Sequence, residues 1–279
     1  MNPSILIPVL AFAVIAISLF ARKTMLKAIP YVCEYWVYFE GEKLPELEPL
    51  MDRMVRENPY NRKGRPMIGG REGMLFTDIK LHMGLVKRAK NPKCFRPDLE
   101  DSDVIAAPAT LALLAPTSAI ARVRYISQIP LADRRHLQFM PHLAGAMLDM
   151  LDGAAVYDLV TKELYSAEKF GELLSSQASL ERPDVQIRTA WILGEDGNQQ
   201  IRTFGLPKIG ILEHVSRPVP ADQKTLVEDV FLEAMGLAWL NNSWPEEQTI
   251  IHLADAFIVS TEPTKTATMS VKIQRIVKH

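Results

Sequence analysis

Few residues of this chain have the spacing of catalytic groups or metal ligands. His136 and His142 are six residues apart, and Asp133 precedes the first of them. Two histidines that bind one metal from the same helix are usually four residues apart, and Pro141 interrupts the helical phase between them. We therefore expect no metal site here and place both histidines at the surface near a helix start. Asp133 and His136 remain candidates for acid–base catalysis.

A thiol and an imidazole could form a nucleophilic pair if the fold brings Cys94 and His82 together. Lys93 and Arg96 flank the cysteine, and nearby positive charge lowers the pKa of a thiol. The alternative is an ordinary loop cysteine within a basic segment. The other cysteine, Cys33, is far away in the sequence and no Cys-x-x-Cys pair occurs, so we expect two free thiols rather than a disulfide framework or a zinc site.

Other motifs of enzymes and cofactor sites are missing from the sequence. It contains no Gly-x-Ser-x-Gly elbow, no His-Glu-x-x-His motif, no dinucleotide-binding glycine fingerprint and no protein-kinase set. In "GLPKIGIL", Ile211 and Leu212 stand where a phosphate-binding loop needs Lys and Ser or Thr. The acidic run from Asp98 to Asp103 lacks the glycine and distal glutamate of a calcium loop. The sequence therefore predicts no cofactor and favours a non-catalytic protein.

The strongest hydrophobic stretch lies near the N-terminus, where residues 5–21 carry no charge. A helix of that length covers about 25 Å, close to the thickness of a thin bilayer. The sequence predicts a single transmembrane anchor over residues 1–27, in contact with the lipid bilayer through residues 5–21. Arg22, Lys23 and Lys27 follow the stretch, and the positive-inside bias then places the N-terminus outside and the domain in the cytoplasm, as in a single-pass bacterial inner-membrane protein.

Two other interpretations concern this stretch and a second apolar one. A cleaved export signal would make this an exported protein, but no basic residue precedes the stretch and Leu19-Phe20-Ala21 is a poor cleavage site. Residues 104–121 are also apolar, yet they contain prolines and hydroxyl side chains and are rich in alanine. Such residues favour insertion weakly, so we expect this second stretch to be buried in the domain.

Charge is distributed unevenly along the chain. Residues 53–96 contain 12 basic and 3 acidic residues, whereas residues 97–279 contain 16 basic and 24 acidic residues. An anionic leaflet attracts such a basic block by about 1 kcal/mol per surface-proximal Lys or Arg. Nucleic acid is not the expected partner, because no nucleic-acid-binding motif occurs. The alternative is a solvated face balanced by the acidic part. The predicted membrane-surface residues are Arg62, Lys63, Arg65, Lys87 and Arg88.

Strand patterns are interleaved with helical patterns after the hydrophobic stretch, and Asp196-Gly197 marks a hairpin turn. The mixture predicts an α+β fold with a mostly antiparallel sheet and several packed helices. We expect a basic membrane-proximal α+β segment at residues 28–103 and a C-terminal α+β domain at residues 104–279. The clearest patterns are strands at residues 31–39 and 119–129 and helices at residues 141–151 and 219–240.

"GAAVYDLVTKELYSAEKF" followed by "IRTFGLPKIGILE" resembles an uncharacterised bacterial family, one of the domains of unknown function. The resemblance covers residues 115–276 and departs from the family pattern at Lys208 and Gly210, where acidic residues are usual. It implies a compact α+β domain and no known reaction, so it transfers no catalytic residue. The matching positions are Ala155, Val156, Ser166, Glu168, Phe204, Gly205 and Pro207.

These observations lead to one functional hypothesis and two alternatives. The first is a membrane-tethered cytoplasmic domain without catalysis that binds the anionic membrane surface or another protein. The second is a membrane-associated hydrolase or transferase whose active site follows no common motif. Its candidate residues are Cys94, His82, His136 and Asp133. The third is an exported protein that has lost its signal.

Overall fold

The computed structural model describes residues 29–56, 80–175, 180–194, 197–244, 246–253, 255–264 and 268–276. Within these ranges, no helix is both long enough and apolar enough to cross a membrane. The predicted anchor at residues 1–27 lies outside the described residues and stays a prediction.

Five antiparallel strands form the first sheet: β1 (Tyr31–Phe39), β2 (Leu81–Lys87), β3 (Ala119–Ser127), β4 (Ala155–Asp158) and β5 (Glu163–Ser166). Their order is β2-β3-β1-β4-β5, so the first strand of the chain lies at the centre. The aromatic and β-branched residues of β1 suit this position, because both of its faces are largely buried. Strands from both sides of residue 103 therefore share one sheet.

Helices pack on both faces of this sheet, and more of them on the inner face than on the outer one. The helices are α1 (Leu47–Arg56), α2 (Pro97–Glu100), α3 (Pro108–Ala112), α4 (Arg135–Met150) and α5 (Ala167–Ser175). The inner face packs against α1, α4 and α5. On the outer face, the 3₁₀ turn at Pro92–Phe95 and α3 cover Tyr38 and Ile120. Since alternate residues of a strand point to opposite faces, Glu34, Arg122 and Arg124 also lie on the outer face.

Pro141 lies inside α4 without ending the helix, contrary to the expected break in helical phase. A proline has no N–H, so the carbonyl of Leu137, four residues earlier, loses its usual helical partner. The side chain of Gln186 replaces it, because its Nε2 donates a hydrogen bond to this carbonyl at 3.1 Å. Almost the whole helix is buried, and this packing stabilises its continuation through the proline.

The second sheet contains the remaining strands and is mixed. A short helix, α6 (Pro183–Gln186), precedes it, and α7 (Lys224–Asn241) packs on one face, where its core includes Phe231, Phe257 and Val259. The strands are β6 (Arg188–Leu193), β7 (Gln199–Phe204), β8 (His214–Ser216), β9 (Glu247–His252), β10 (Asp255–Pro263) and β11 (Met269–Arg275). The order is β6-β7-β8-β11-β10-β9, and β8 and β11 are the parallel neighbours.

The predicted α+β class, with antiparallel strands and packed helices, is confirmed. Strand β1 matches the strand predicted at residues 31–39, β3 lies within the one predicted at residues 119–129, and Gly197 of the predicted Asp-Gly turn lies between the paired strands β6 and β7 with a φ of +76°. Ser166 caps the N-terminus of α5, since its Oγ accepts a hydrogen bond from the backbone N–H of Lys169 at 3.3 Å.

Candidate functional site

Cys94 and His82 lie at different places along the outer face of the first sheet. The carbonyl of Cys94 accepts a hydrogen bond from the hydroxyl of Tyr38 at 2.9 Å, and Tyr38 lies in register with Val86 through β3. His82 is four residues earlier on β2, which corresponds to about 13 Å along a strand. The positions that carry the two groups are therefore separated, and the structure does not bring them together as a catalytic pair.

His136 is buried rather than exposed, contrary to the expectation of a surface histidine. Its Nε2 is 2.8 Å from the carbonyl oxygen of Lys208, which can only accept, so Nε2 carries the proton. Burial lowers the pKa of His136 to about 4. Asp133 instead pairs with Arg135 at the helix start. The two candidate acid–base residues thus face different partners. His142 is also buried, and its Nε2 lies 2.9 Å from the side chain of Gln138.

Of the predicted membrane-surface residues, Arg62, Lys63 and Arg65 lie outside the described residues. Lys87, at the end of β2, is half exposed and 3.9 Å from the carboxylate of Glu42. Arg88 is held inside the domain, because its guanidinium donates to the carbonyls of Leu114 and Thr117 and stacks over the ring of Phe95 at 4.3 Å. Its position explains how the loop around Cys94 is fixed to the sheet.

A buried ionic network around Lys208 joins the two sheets, and sequence reasoning missed it. Lys208 lies in a 3₁₀ turn, Leu206–Ile209, that follows β7. Its ammonium donates to Asp158 Oδ2 at 2.6 Å and to Gln186 Oε1 at 2.7 Å, and lies 3.5 Å from the hydroxyl of Tyr35. Because Asp158 belongs to β4 and Tyr35 to β1, the ammonium connects the second sheet to the centre of the first.

This network is closed to solvent. Lys208 is fully buried and Asp158 is 3% exposed, while the second carboxylate oxygen of Asp158 accepts from the backbone N–H groups of Val160 and Thr161. Cys33, two residues before Tyr35 on the same face, is also buried, and burial raises the pKa of its thiol to about 12. A protonated thiol and a fully paired ammonium are poor nucleophiles, so the network serves as a cross-link.

A second charged cluster lies on the outer face of the first sheet and reaches solvent. Glu34 is 3% exposed, and its Oε1 accepts from Arg122 Nε at 2.7 Å and from Trp36 Nε1 at 2.7 Å. Its Oε2 lies 3.2 Å from Arg124 Nε. The carboxylate is thus buried beneath two arginines whose side chains remain 37% and 34% exposed. We call Glu34, Arg122 and Arg124 the arginine cluster.

Strands β1 and β2 begin at the same end of the first sheet, where β3 ends, and we call Tyr31, Lys80 and Ser127 the entry end. Tyr31 pairs with Ser127, and the carbonyl of Lys80 accepts from the N–H of Ile126 at 3.0 Å. Since neighbouring strands are about 4.8 Å apart, Tyr31 and Lys80 lie roughly 10 Å apart across β3. The side chain of Ile129, just beyond Ser127, is 64% exposed.

A cleft of about 640 Å³ lies beside β5, between α3 and α5. Its polar lining includes Thr110, Glu163, Tyr165 and Lys169. The hydroxyl of Tyr165 donates to Glu163 Oε2 at 2.7 Å, and burial raises the pKa of this hydroxyl. A phenol held protonated in this way is a poor base, so the cleft offers hydrogen bonds rather than an activated catalytic group. In the described part of the chain, no group of three or more His, Cys, Asp or Glu residues is arranged to hold a metal.

Glu213 gives the fold an unusual pH dependence. Burial raises the pKa of its carboxyl to about 7, although Thr203 Oγ1 and the N–H of Gly205 each donate to it at 2.7 Å. Between pH 4.5 and 7 the folded state keeps a proton that the unfolded state has released. This contribution to the free energy of unfolding therefore decreases as the pH rises through that range.

We expect the Glu213→Gln variant to lose this decrease, because its amide does not titrate. The denaturant midpoint of the wild type and of Glu213→Gln is measured from pH 5 to 8. The difference between the two midpoints is then compared across pH, because the effects of other titratable groups cancel in that difference. The comparison also cancels the opposite effect of the buried His136, His142 and His214. Burial lowers their pKa to about 4, so they destabilise the folded state as the pH falls below 6.5. Glu262→Gln, at an exposed pair, is the control. A pH-independent difference between wild type and Glu213→Gln would contradict the prediction.

No family model matches the chain, and no match was found among curated proteins or solved structures. The resemblance of residues 115–276 to an uncharacterised family therefore stays a prediction. The fold defines the class of the protein as a two-sheet α+β domain. Its exposed charged cluster lies on the outer face of the first sheet, and its buried ion pair lies between the sheets.

Proposed function

We propose that this protein is a single-pass membrane protein whose domain binds the anionic surface of the bilayer through the entry end of the first sheet. The observation that carries the proposal is the position of Tyr31 and Lys80, roughly 10 Å apart at one end of the sheet. The chain reaches β1 from the predicted anchor at residues 1–27, and it reaches β2 from the basic residues 57–79. Both segments therefore join the domain at the same end.

The chemistry of the joining segment supports an anionic partner. Arg62, Lys63 and Arg65 belong to the basic block, and each such residue near an anionic leaflet contributes about 1 kcal/mol to binding. The entry end also exposes Ile129, an apolar side chain that a bilayer interface accommodates. With the short N-terminus outside, this end faces the cytoplasmic leaflet, where anionic lipids are attracted to basic segments.

A fluorophore at residue 129 tests the proposal in the full-length chain. The variant Ile129→Cys, made in a Cys94→Ser background, is labelled and reconstituted into vesicles that contain nitroxide lipids. We expect quenching at residue 129 to increase several-fold when anionic lipid replaces zwitterionic lipid. The triple variant Arg62→Gln, Lys63→Gln, Arg65→Gln should remove most of that increase, since it loses about 3 kcal/mol of surface attraction.

Leu193→Cys is the matched control for position. Leu193 is 72% exposed at the end of β6. Two residues earlier, Trp191 Nε1 donates to Glu228, so this end of β6 lies near the start of α7. Arg134, which lies near Tyr31 of the entry end, donates to Asn242 at the other end of α7. Helix rise places Glu228 and Asn242 about 20 Å apart. A label at residue 193 should not respond to lipid charge. Equal responses at residues 129 and 193, or no response at residue 129, would refute the proposed contact.

A further inference from the structure

We infer that the arginine cluster is a binding site for a phosphate group, of the phosphomonoester or inorganic phosphate class. Arg122 and Arg124 are alternate residues of β3, so their Cα atoms are about 7 Å apart on the same face. Glu34 lies between them and contacts the Nε of each side chain. This inference does not depend on the proposed membrane contact, because the site can bind phosphate in solution.

The buried carboxylate determines which atoms of the arginines remain available. Arg122 Nε donates to Glu34 Oε1 at 2.7 Å, whereas Arg124 Nε lies 3.2 Å from Glu34 Oε2 as an ion pair and makes no hydrogen bond to a described residue. In the described part of the chain, the terminal nitrogens of these two residues have no hydrogen-bond partner, and about a third of each side chain is exposed. The hydrogen bond positions the guanidinium of Arg122 before a ligand arrives, and the ion pair keeps that of Arg124 beside it, which reduces the entropy cost of binding.

Phosphate fits this arrangement better than a carboxylate does. A guanidinium can donate two parallel hydrogen bonds to an oxyanion, and an anion with three accepting oxygens can bind two guanidiniums in this way while they share only one oxygen. A phosphate at pH 7 has three such oxygens and a charge of about −1.5 to −2. The cluster itself carries two positive charges and one negative charge, so a dianion is attracted to it.

The described neighbouring residues leave room above the cluster. Gly84 lies opposite Arg122 on β2, and an added Cβ there would meet no atom of the described residues within 4 Å. His82 lies opposite Arg124 and is exposed, so its ring can donate a further hydrogen bond. On the other side, Trp36 donates its Nε1 to Glu34 and thereby keeps the carboxylate below the ligand. The site is thus a shallow platform with donors on one side and open space over the glycine.

Isothermal titration of inorganic phosphate into the full-length chain in neutral detergent, at constant ionic strength set with chloride, tests the inference. We expect saturable binding to the wild type. Arg122→Gln or Arg124→Gln should weaken the affinity several-fold, and the double variant should weaken it at least tenfold. Arg217→Gln removes the same charge from the second sheet, where Arg217 pairs with Glu262, and should change the affinity less than twofold.

The double variant leaves Glu34 without its partners, so its thermal unfolding is measured alongside. If it does not fold, the double variant Arg122→Lys, Arg124→Lys replaces it, because lysine keeps the charge and loses the two-pronged donor geometry. We expect that variant to bind phosphate several-fold more weakly than the wild type. No saturable binding to the wild type, or equal affinity in the folded double variant, would overturn the inference.

The phosphate can come from a lipid headgroup or from a soluble compound, and a second arm distinguishes these sources. The full-length chain is placed in nanodiscs of phosphatidylcholine alone or of phosphatidylcholine with phosphatidic acid. If the site binds a lipid phosphomonoester, phosphatidic acid should reduce the apparent affinity for inorganic phosphate. If its ligand is soluble, the affinity should be the same in both discs. Either result supports the phosphate site, whereas the label at residue 129 tests the membrane contact separately.

Discussion

Replacing Lys208 with methionine is expected to lower the free energy of unfolding by about 3 to 5 kcal/mol. Methionine has a similar length, so the main change is the loss of a positive charge beside the buried carboxylate of Asp158. That carboxylate loses its partner at 2.6 Å, and Gln186 Oε1 loses its donor at 2.7 Å. Chemical denaturation at pH 7, followed by tryptophan fluorescence, measures the effect.

A second substitution separates the charge from the packing. In the double variant Lys208→Met, Asp158→Asn, the uncompensated charge is gone, so we expect part of the lost stability to return. Lys169→Met, at an exposed position of α5, is the matched control and should change stability by less than about 0.5 kcal/mol. A Lys208→Met variant as stable as the wild type would show that the ion pair does not stabilise the fold.

Gly205→Ala is expected to destabilise the protein by about 3 kcal/mol or more. Gly205 has a φ of +120°, a conformation that costs other residues about 1 to 3 kcal/mol. An added Cβ would also lie 2.2 Å from the carbonyl oxygen of Gln186 and 3.0 Å from the Cα of Ile187, both backbone atoms. Because backbone cannot rotate away, the turn that positions Lys208 has to shift. The shift in denaturant midpoint measures the loss.

Gly236→Ala provides the opposite case within the same protein. Gly236 lies inside α7, and an added Cβ there meets nothing within 4 Å. Since alanine favours helix more than glycine does, we expect this variant to gain about 0.5 to 1 kcal/mol. If Gly205→Ala and Gly236→Ala changed stability in the same direction, the positive φ of Gly205 would not explain why glycine occupies that position.

The regular elements were the most predictable part of this fold. The aromatic segment of β1, the alternating residues of β3 and the Asp-Gly turn of the β6–β7 hairpin each have a local pattern. The continuation of α4 through Pro141 could not be predicted, because the missing hydrogen bond is replaced by Gln186, 49 residues from Leu137. The periodicity of a sequence reflects only interactions between residues that are close together in the chain.

The charged groups were less predictable, for a related reason. Lys208 drew attention in the sequence as a departure from the pattern of a resembling family, yet its partner Asp158 is 50 residues away. Arg122 and Arg124 are alternate residues of the strand that the sequence predicts at residues 119–129. Their role depends on Glu34, which lies 88 residues from Arg122. Sequence spacing identifies candidates within one element, whereas both clusters are assembled from several elements.

The central position of β1 has a consequence for synthesis of the chain. Ribosomes add about 5 to 20 residues per second, so Arg122 is translated about 4 to 18 s after Glu34. During that interval, both edges of an aromatic, β-branched strand lack the partners they have in the finished sheet, and unpaired edges of this kind promote aggregation. Slower translation prolongs the exposure, so we expect the yield of folded protein to decrease when elongation is slowed.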